Sequence, residues 1–249
     1  MSVALRTERL SRNWGALRAV REVSFALETG ARHALIGPNG AGKTTFINLL
    51  TGVVRPSGGE VFLAEQKITK LPPHLRVKRG MTRTFQINTL FPGLTVLESV
   101  VLAICEREGL GAAWRPVARY TRQIAEARQI LDDLQLSSEI NTLTRSLPYG
   151  KQRLLEIAVA LATRPRILLL DEPAAGIPIG ESAEVCSVLS RLPRDVTVLF
   201  IEHDMSLVFR FAERITVLVD GAILVQGAPQ EIANDPRVRE VYLGEAQHG

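Results

Sequence analysis

Cysteine, aromatic residues and long apolar runs are all scarce in this chain. Only Cys105 and Cys186 occur among 249 residues. They are too few and too far apart for a disulfide framework or a Cys-rich metal site, so a reducing cytosol is the expected compartment. No apolar run approaches the roughly 18 residues that a membrane helix needs. The stretch Met1–Trp14 carries Arg6, Arg9 and Arg12 and no apolar core segment, so a secretory signal peptide is not expected. Aromatic residues make up 5%, and no Lys/Arg run is interleaved with them, which argues against a dedicated nucleic-acid binder; no nucleic-acid partner is expected. Neither sign of charge dominates: 30 basic against 26 acidic residues leave +4. That balance permits anionic partners without demanding them.

What is present is an ordinary globular composition, 46% hydrophobic and 22% charged, long enough for one or two domains with a sizeable core. The first sixty residues read as short strands, including Val20–Leu27 and Arg32–Ile36 with the turn Glu28-Thr29-Gly30 between them. A glycine-rich segment, Gly37–Gly42, precedes an expected helix from Lys43 to Leu50. The cluster Pro56-Ser57-Gly58-Gly59 turns the chain into a short strand, Val61–Leu63. From about Phe85 to Ala162 the pattern is helical, with Leu97, Val100, Val101 and Ile104 on one face and Ile124, Ala127, Ile130, Leu131 and Leu134 on another. Glu106–Pro116 reads as a loop. Ile167–Leu170 and Val196–Ile201 are continuous apolar runs, as strands buried on both faces should be, with a helix expected from about Glu181 to Leu192. Ile215–Val219 and Ile223–Val225 form an expected hairpin around Asp220-Gly221-Ala222. Strand, helix and strand in that order imply right-handed crossovers, hence a two-lobed α/β body with an all-helical insertion.

Gly37-Pro38-Asn39-Gly40-Ala41-Gly42-Lys43-Thr44 fits G-x-x-x-x-G-K-[ST] between a strand and a helix. Glycines let successive N–H groups converge on one anion, and the helix start adds its positive end. Lys43 is expected to neutralise β- and γ-phosphate charge and the Thr44 hydroxyl to ligate Mg²⁺, with Thr45 next to it in the nucleotide-binding set. An acid at the end of a buried strand should complete the chemistry. Ile167-Leu168-Leu169-Leu170-Asp171-Glu172 supplies it, with Asp171 toward the metal's water shell and Glu172 polarising the attacking water. The plainer readings are a ligand-free turn and a polar strand exit. No Asn-Lys-x-Asp motif is present, which argues against a GTPase.

The chain from about Leu5 to Gly244 resembles the ATP-binding subunit of an ABC transporter, most closely those that power bacterial branched-chain amino acid importers. The resemblance is carried by Arg83-Thr84-Phe85-Gln86, Leu90-Phe91-Pro92-Gly93-Leu94-Thr95-Val96, Tyr149-Gly150-Lys151-Gln152-Arg153, Leu155-Glu156-Ile157-Ala158, Asp171-Glu172-Pro173-Ala174-Ala175-Gly176, Ile201-Glu202-His203-Asp204-Met205 and the ending Asp235-Pro236-Arg237-Val238 with Tyr242-Leu243-Gly244. It implies an α/β P-loop NTPase of the ABC ATPase type: a mixed β core, an antiparallel β subdomain and an inserted helical subdomain. The chain would be one such domain, with 1–84 and 163–249 as the core and β subdomain and 85–162 as the helical subdomain. It also implies ATP and Mg²⁺, with Gln86 as the lid-loop glutamine at the metal or water, His203 at the γ-phosphate and Trp14 stacked on adenine. Trp14 as a plain aromatic is the alternative; His33, His74 and His248 read as structural or solvated. Expected partners are transmembrane permease subunits, a second ABC ATPase subunit as homo- or heterodimer and, indirectly, a periplasmic solute-binding protein. The place implied is the inner face of the bacterial plasma membrane, as a cytoplasmic peripheral subunit.

Two departures stand out against the family pattern. The signature segment, usually Leu-Ser-Gly-Gly-Gln, reads Leu147-Pro148-Tyr149-Gly150-Lys151. Proline is tolerated at a helix start, but it removes the hydroxyl that would reach the partner's γ-phosphate. The Gly150 N–H and Lys151 remain to meet an anion. Beyond Ala175-Gly176, Ile177-Pro178 stands where Asp or Asn is usual. Functional asymmetry between two ATP sites is the expectation, against a tolerated variant without effect. The basic stretch Arg76, Lys78, Arg79 and Arg83 reads as a solvated face or a contact with membrane partners. Rival functions are the same motor on another permease, for urea or short-amide import or lipopolysaccharide export, and a weakly hydrolysing regulatory subunit.

Overall fold

The structure, a computed structural model, describes residues 2–84, 90–110, 119–177, 185 and 187–245. Gln86, Pro178, Cys186 and His248 lie outside them. Two sheets organise the chain. β1 (Val3–Trp14), β2 (Leu17–Glu28), β4 (Gly58–Leu63) and β5 (Gln66–Lys67) form a four-stranded antiparallel sheet in the order β2-β1-β4-β5. The second sheet has the order β10-β9-β3-β8-β7-β6, built from β3 (Arg32–Ile36), β6 (Met81–Arg83), β7 (Ile167–Asp171), β8 (Thr197–Ile201), β9 (Arg214–Val219) and β10 (Ala222–Gly227). β9, β3, β8, β7 and β6 run parallel, and β10 closes back antiparallel on β9.

The central strands are apolar throughout because both of their faces are covered. Side chains alternate across a strand. Ala34 and Ile36 therefore join one core with Leu168, Leu170, Val198 and Phe200. Leu35 joins the other with Ile167, Leu169, Leu199 and Ile201, beside Phe46, Ile47, Leu49 and Leu50 of α1 (Lys43–Thr51). The first core also takes in α3 (Val96–Arg107), α4 (Thr121–Asp133) and α5 (Tyr149–Ala162). Val100, Val101, Ile104, Ala127 and Leu131 are buried as the helical spacing requires, with Leu97, Ile124 and Ile130 packed beside them. Thr95 starts α3 with a reciprocal capping box to Glu98. Further helices among the described residues are α2 (Pro73–Lys78), α6 (Met205–Phe211), α7 (Pro229–Asn234) and α8 (Pro236–Glu245). Residues 185 and 187–190, within the helix expected at Glu181–Leu192, are helical too.

Several expectations need correction. β1 and β2 are twelve residues each rather than short, because register shifts at Thr7–Leu10 and Leu10–Arg12 let one strand pair continue around its twist. Glu106 and Arg107 belong to α3 rather than to a loop. The basic stretch before the lid is not one solvated face. Lys78 and Arg79 are exposed, but Arg76 is fully buried and Arg83 nearly so. Arg76 donates to the carbonyls of Leu49, Leu50, Thr69 and Leu71. Its cation thus serves the negative end of α1, and burial pulls its pKa down to about 10.

Candidate active site

All the predicted chemistry that falls within the described core lies where the parallel strands end, the usual place for a ligand in an open α/β sheet. β3 runs straight into Gly37, and the loop Gly37–Gly42 hands over to α1 at Lys43. Gly42 is the helix N-cap, in the left-handed region at φ 95°. A Cβ there would stand 2.2 Å from the Ala19 carbonyl oxygen, and one on Gly37 would stand 2.0 Å from that of Leu218. Only glycine fits this close approach of the loop to β2 and β9. The Lys43 Nζ donates to the carbonyl oxygens of Gly37 (2.6 Å) and Pro38 (2.8 Å), so the ammonium is enclosed by the loop itself. Asn39, Gly40 and Thr44 are exposed, Pro38 and Thr45 half-buried, and Ala41 buried. The first turn of a helix carries N–H groups without helical partners. Loop, helix start and ammonium together supply the N–H groups and positive charge that suit phosphates.

Asp171 ends β7, and β8 ends at Ile201, the neighbour with which Asp171 is in register. Because β8 lies between β3 and β7, Asp171 stands two strand spacings, about 10 Å, from the strand that feeds the loop. Glu172 follows at φ 48°, its N–H donating to the Ile201 carbonyl (3.0 Å). That left-handed turn swings the Glu172 carboxylate toward β8, where the His203 Nε2 lies 2.9 Å from its Oε1. The two residues expected to handle the attacking water are thus in contact, although 31 positions separate them.

Two supporting side chains stand in the quoted motifs without a role assigned to them at the site. Arg83, the last residue of β6, donates from one nitrogen to Asp171 Oδ2 and from another to Asn48 Oδ1 of α1 (2.6 Å). It therefore joins the phosphate-loop helix to the acid at the end of β7, and both members of the ion pair are buried. Glu202 is buried as well. Its Oε1 accepts from the Ala174 N–H (3.0 Å) and its Oε2 from the His203 N–H (3.1 Å). Burial pushes the Glu202 carboxyl above its ordinary range. One carboxylate thereby ties the turn after Glu172 to the strand end that carries His203. The sequence signal for Glu202 is an acid placed directly after an apolar strand, the same signal that marks Asp171. Arg83 has no such signal, since its partners come from another strand, β7, and from α1.

The remaining expected residues occupy two other places. Trp14 ends β1 in register with Leu17, half exposed, at the tip of the hairpin whose Ala19 abuts Gly42. Pro148 is the N-cap of α5, at φ −55° and ψ 153°, so its missing N–H costs the helix nothing. Tyr149 is exposed, Gly150 buried and Lys151 half-buried. Gly176 lies beside the Tyr149 ring: a Cβ on it would meet the ring at 3.4 Å. His33 is buried rather than solvated and bonds Thr216 Oγ1 (2.7 Å), while His74 is exposed. Among the described residues no group of three His, Cys, Asp or Glu side chains is placed to hold a metal ion by itself. A cavity of about 1490 Å³ lies by the starts of β7 and β8, at the strand ends opposite the site; His74 lines it, but none of the phosphate-loop, Asp171, Glu172, His203, Trp14 or Pro148–Lys151 residues does.

This geometry agrees with what the chain is similar to. The family model described as ABC transporter matches residues 20–175. The chain belongs to the ABC transporter ATP-binding family. A second model, branched-chain amino acid ATP-binding cassette transporter, matches residues 222–248 of this ABC ATPase. It is 40% identical to the high-affinity branched-chain amino acid transport ATP-binding protein BraF of Pseudomonas aeruginosa, over 95% of this chain and 96% of that one. It is 39% identical to the lipopolysaccharide export system ATP-binding protein LptB of Acidithiobacillus ferridurans, over 98% of each. Among solved structures, the ADP conformation of MJ1267, an ATP-binding cassette of an ABC transporter, superposes with a TM-score of 0.83 at 30% identity and covers 98% of this chain and 100% of that one. The ABC ATPase accordingly binds ATP and couples its hydrolysis to transport. Among the described residues no helix is long and apolar enough to cross a membrane.

Proposed function

We propose that this ABC ATPase powers import of branched-chain or related amino acids through a separate transmembrane permease, docked on the inner face of the bacterial plasma membrane and fed by a periplasmic solute-binding protein. The observation that carries the solute class is the match of residues 222–248 to the branched-chain model, beyond the catalytic motifs that all such ATPases share. The chain acts as one domain, with 1–84 and 163–249 as the core and β subdomain and 85–162 as the helical subdomain.

In the reaction, the amides of Gly37–Thr45 and the Lys43 ammonium grip the β- and γ-phosphates, and Trp14 stacks on the adenine ring. The Thr44 hydroxyl and the Asp171 carboxylate are hard oxygen donors of the kind Mg²⁺ takes, an ion usually held by one or two carboxylates together with substrate phosphates. When bound, Mg²⁺ neutralises charge on those phosphates. Gln86, outside the described residues, belongs to the same metal-and-water group. Glu172 takes the proton of the attacking water, and its contact with His203 holds the carboxylate while His203 reaches the γ-phosphate. A second ABC ATPase subunit, a copy or a paralogue, closes the site with its own counterpart of Pro148-Tyr149-Gly150-Lys151.

The LptB relative, 39% identical over 98% of the chain, favours a second reading, lipopolysaccharide export. Reconstituting the full chain with its permease in proteoliposomes separates them. Turnover stimulated by binding protein loaded with leucine, isoleucine or valine supports the import reading. Stimulation by lipopolysaccharide or urea alone overturns it in favour of another permease, and an assembled complex that binds ATP without hydrolysing it makes the chain a regulatory subunit.

A further inference from the structure

Trp14 does not stand alone at the hairpin tip. Residues two apart on a strand share a face, and the Arg12 guanidinium lies over the Trp14 ring at 3.7 Å from its centre. The same guanidinium donates from one terminal nitrogen to the Arg55 carbonyl (3.0 Å). Its Nε is buried without a hydrogen-bond partner, as expected for a group laid flat on a ring. Arg55 belongs to the link between α1 and β4. That link also bonds β1 through Ser57, whose N–H donates to the Ser11 carbonyl (2.8 Å) and whose hydroxyl accepts from the Asn13 N–H (3.1 Å). One face of Trp14 is therefore covered by a cation anchored to the connection leaving the phosphate-loop helix. The residue is nonetheless 50% exposed, so with one face under the guanidinium much of the remaining ring surface is available to a base.

We infer that Arg12 is a positioning residue for nucleotide-base recognition: it backs the Trp14 ring, so that an adenine stacks on a ring already held in place. The inference rests on the adenine role proposed for Trp14 and adds what orients it. An unbacked Trp at a hairpin tip loses rotamer freedom on binding, whereas a ring held between a guanidinium and a base loses little. The benefit should depend on the base and not on the phosphates.

Calorimetric titration of the full chain with Mg-ADP and with Mg-pyrophosphate tests this. Arg12→Met, which keeps the aliphatic stem, is expected to weaken ADP binding about two- to fivefold and to leave pyrophosphate binding unchanged. In a Trp14→Ala background the same substitution is expected to change neither. Equal losses for ADP and pyrophosphate would make Arg12 a general electrostatic or folding residue and overturn the inference, as would an unchanged ADP affinity. Tighter ADP binding in Arg12→Met would mean that the guanidinium blocks the stacking face, which also overturns it. If Trp14→Ala alone leaves ADP affinity intact, the adenine reading itself fails, a result distinct from a silent Arg12. Thermal unfolding of each variant separates lost folding from lost recognition.

Discussion

At the phosphate loop, backbone amides sit on a helix whose far end is clamped by buried Arg76 and whose near end is pressed against Ala19 and Leu218. At Pro148–Lys151 the helix start is partly open to solvent, Tyr149 is exposed, and the N-cap Pro148 lacks both a hydroxyl and an N–H. The loop end is held by parts that have no alternative place to go, because buried polar groups must keep their partners. Under the proposed function, the signature end is completed by what a second subunit brings. The contrast teaches that chemical competence and assembly competence are separately adjustable here. Substitutions among the buried supports should cost much, and substitutions at the signature end should act as a modest dial on turnover.

The sharpest way to break that contrast is Glu172→Gln. Removal of a general base is expected to lower kcat by about 10²- to 10⁴-fold with nucleotide affinity retained, measured by single-turnover hydrolysis in the assembled transporter. A variant that hydrolyses at the parental rate would remove Glu172 from the reaction. Next in size is Arg83→Met. Removing one partner of a buried ion pair leaves Asp171 as an uncompensated charge, and about 3–5 kcal/mol of stability should be lost in urea unfolding. Adding Asp171→Asn to Arg83→Met should recover part of that loss. An additive double variant would mean that Arg83 acts elsewhere.

The third test concerns β3, the strand that delivers the loop. His33 is buried beside Phe25, and burial pushes its pKa down to about 4 from an ordinary 6.5. Between these values the unfolded chain binds a proton that the folded chain refuses, so stability is full above 6.5 and falls as the pH drops toward 4. The loss across that window is about 3 kcal/mol. His33→Gln, which retains a hydrogen-bonding group toward Thr216, should flatten this limb in denaturant titrations at several pH values. The smallest effect is expected at the signature end. On the proposed role of the signature segment, Pro148→Ser supplies a hydroxyl donor for a partner's phosphate and should raise the ATPase rate of the assembled transporter by up to about tenfold. An unchanged rate would make Pro148 a tolerated variant and end the case for unequal sites.

Much of this arrangement was legible in the chain itself. The phosphate loop is eight consecutive residues whose glycine spacing, lysine and helix start follow local backbone rules, and its strand and helix stand where expected. The apolar runs before Asp171 and His203 announced strands buried on both faces, and β7 and β8 are such strands. The length of β1 was not legible, because its register shifts arise only in pairing with β2. Nor was the burial of Arg76 and Arg83, since four charges within eight positions look like a solvated face until α2 and β6 turn two of them inward.

The sequence by itself determined the nucleotide chemistry, because loop, base and acid are each encoded in short contiguous strings whose conformation depends on near neighbours. Only the tertiary structure decided which side chains support them. Arg83 reaches Asp171 because β6 lies beside β7, Glu202 reaches Ala174 because β8 lies on the other side of β7, and Arg76 reaches α1 through the packing of α2. Those adjacencies follow from how distant apolar faces are buried together. A pattern of near neighbours along the chain carries no record of that.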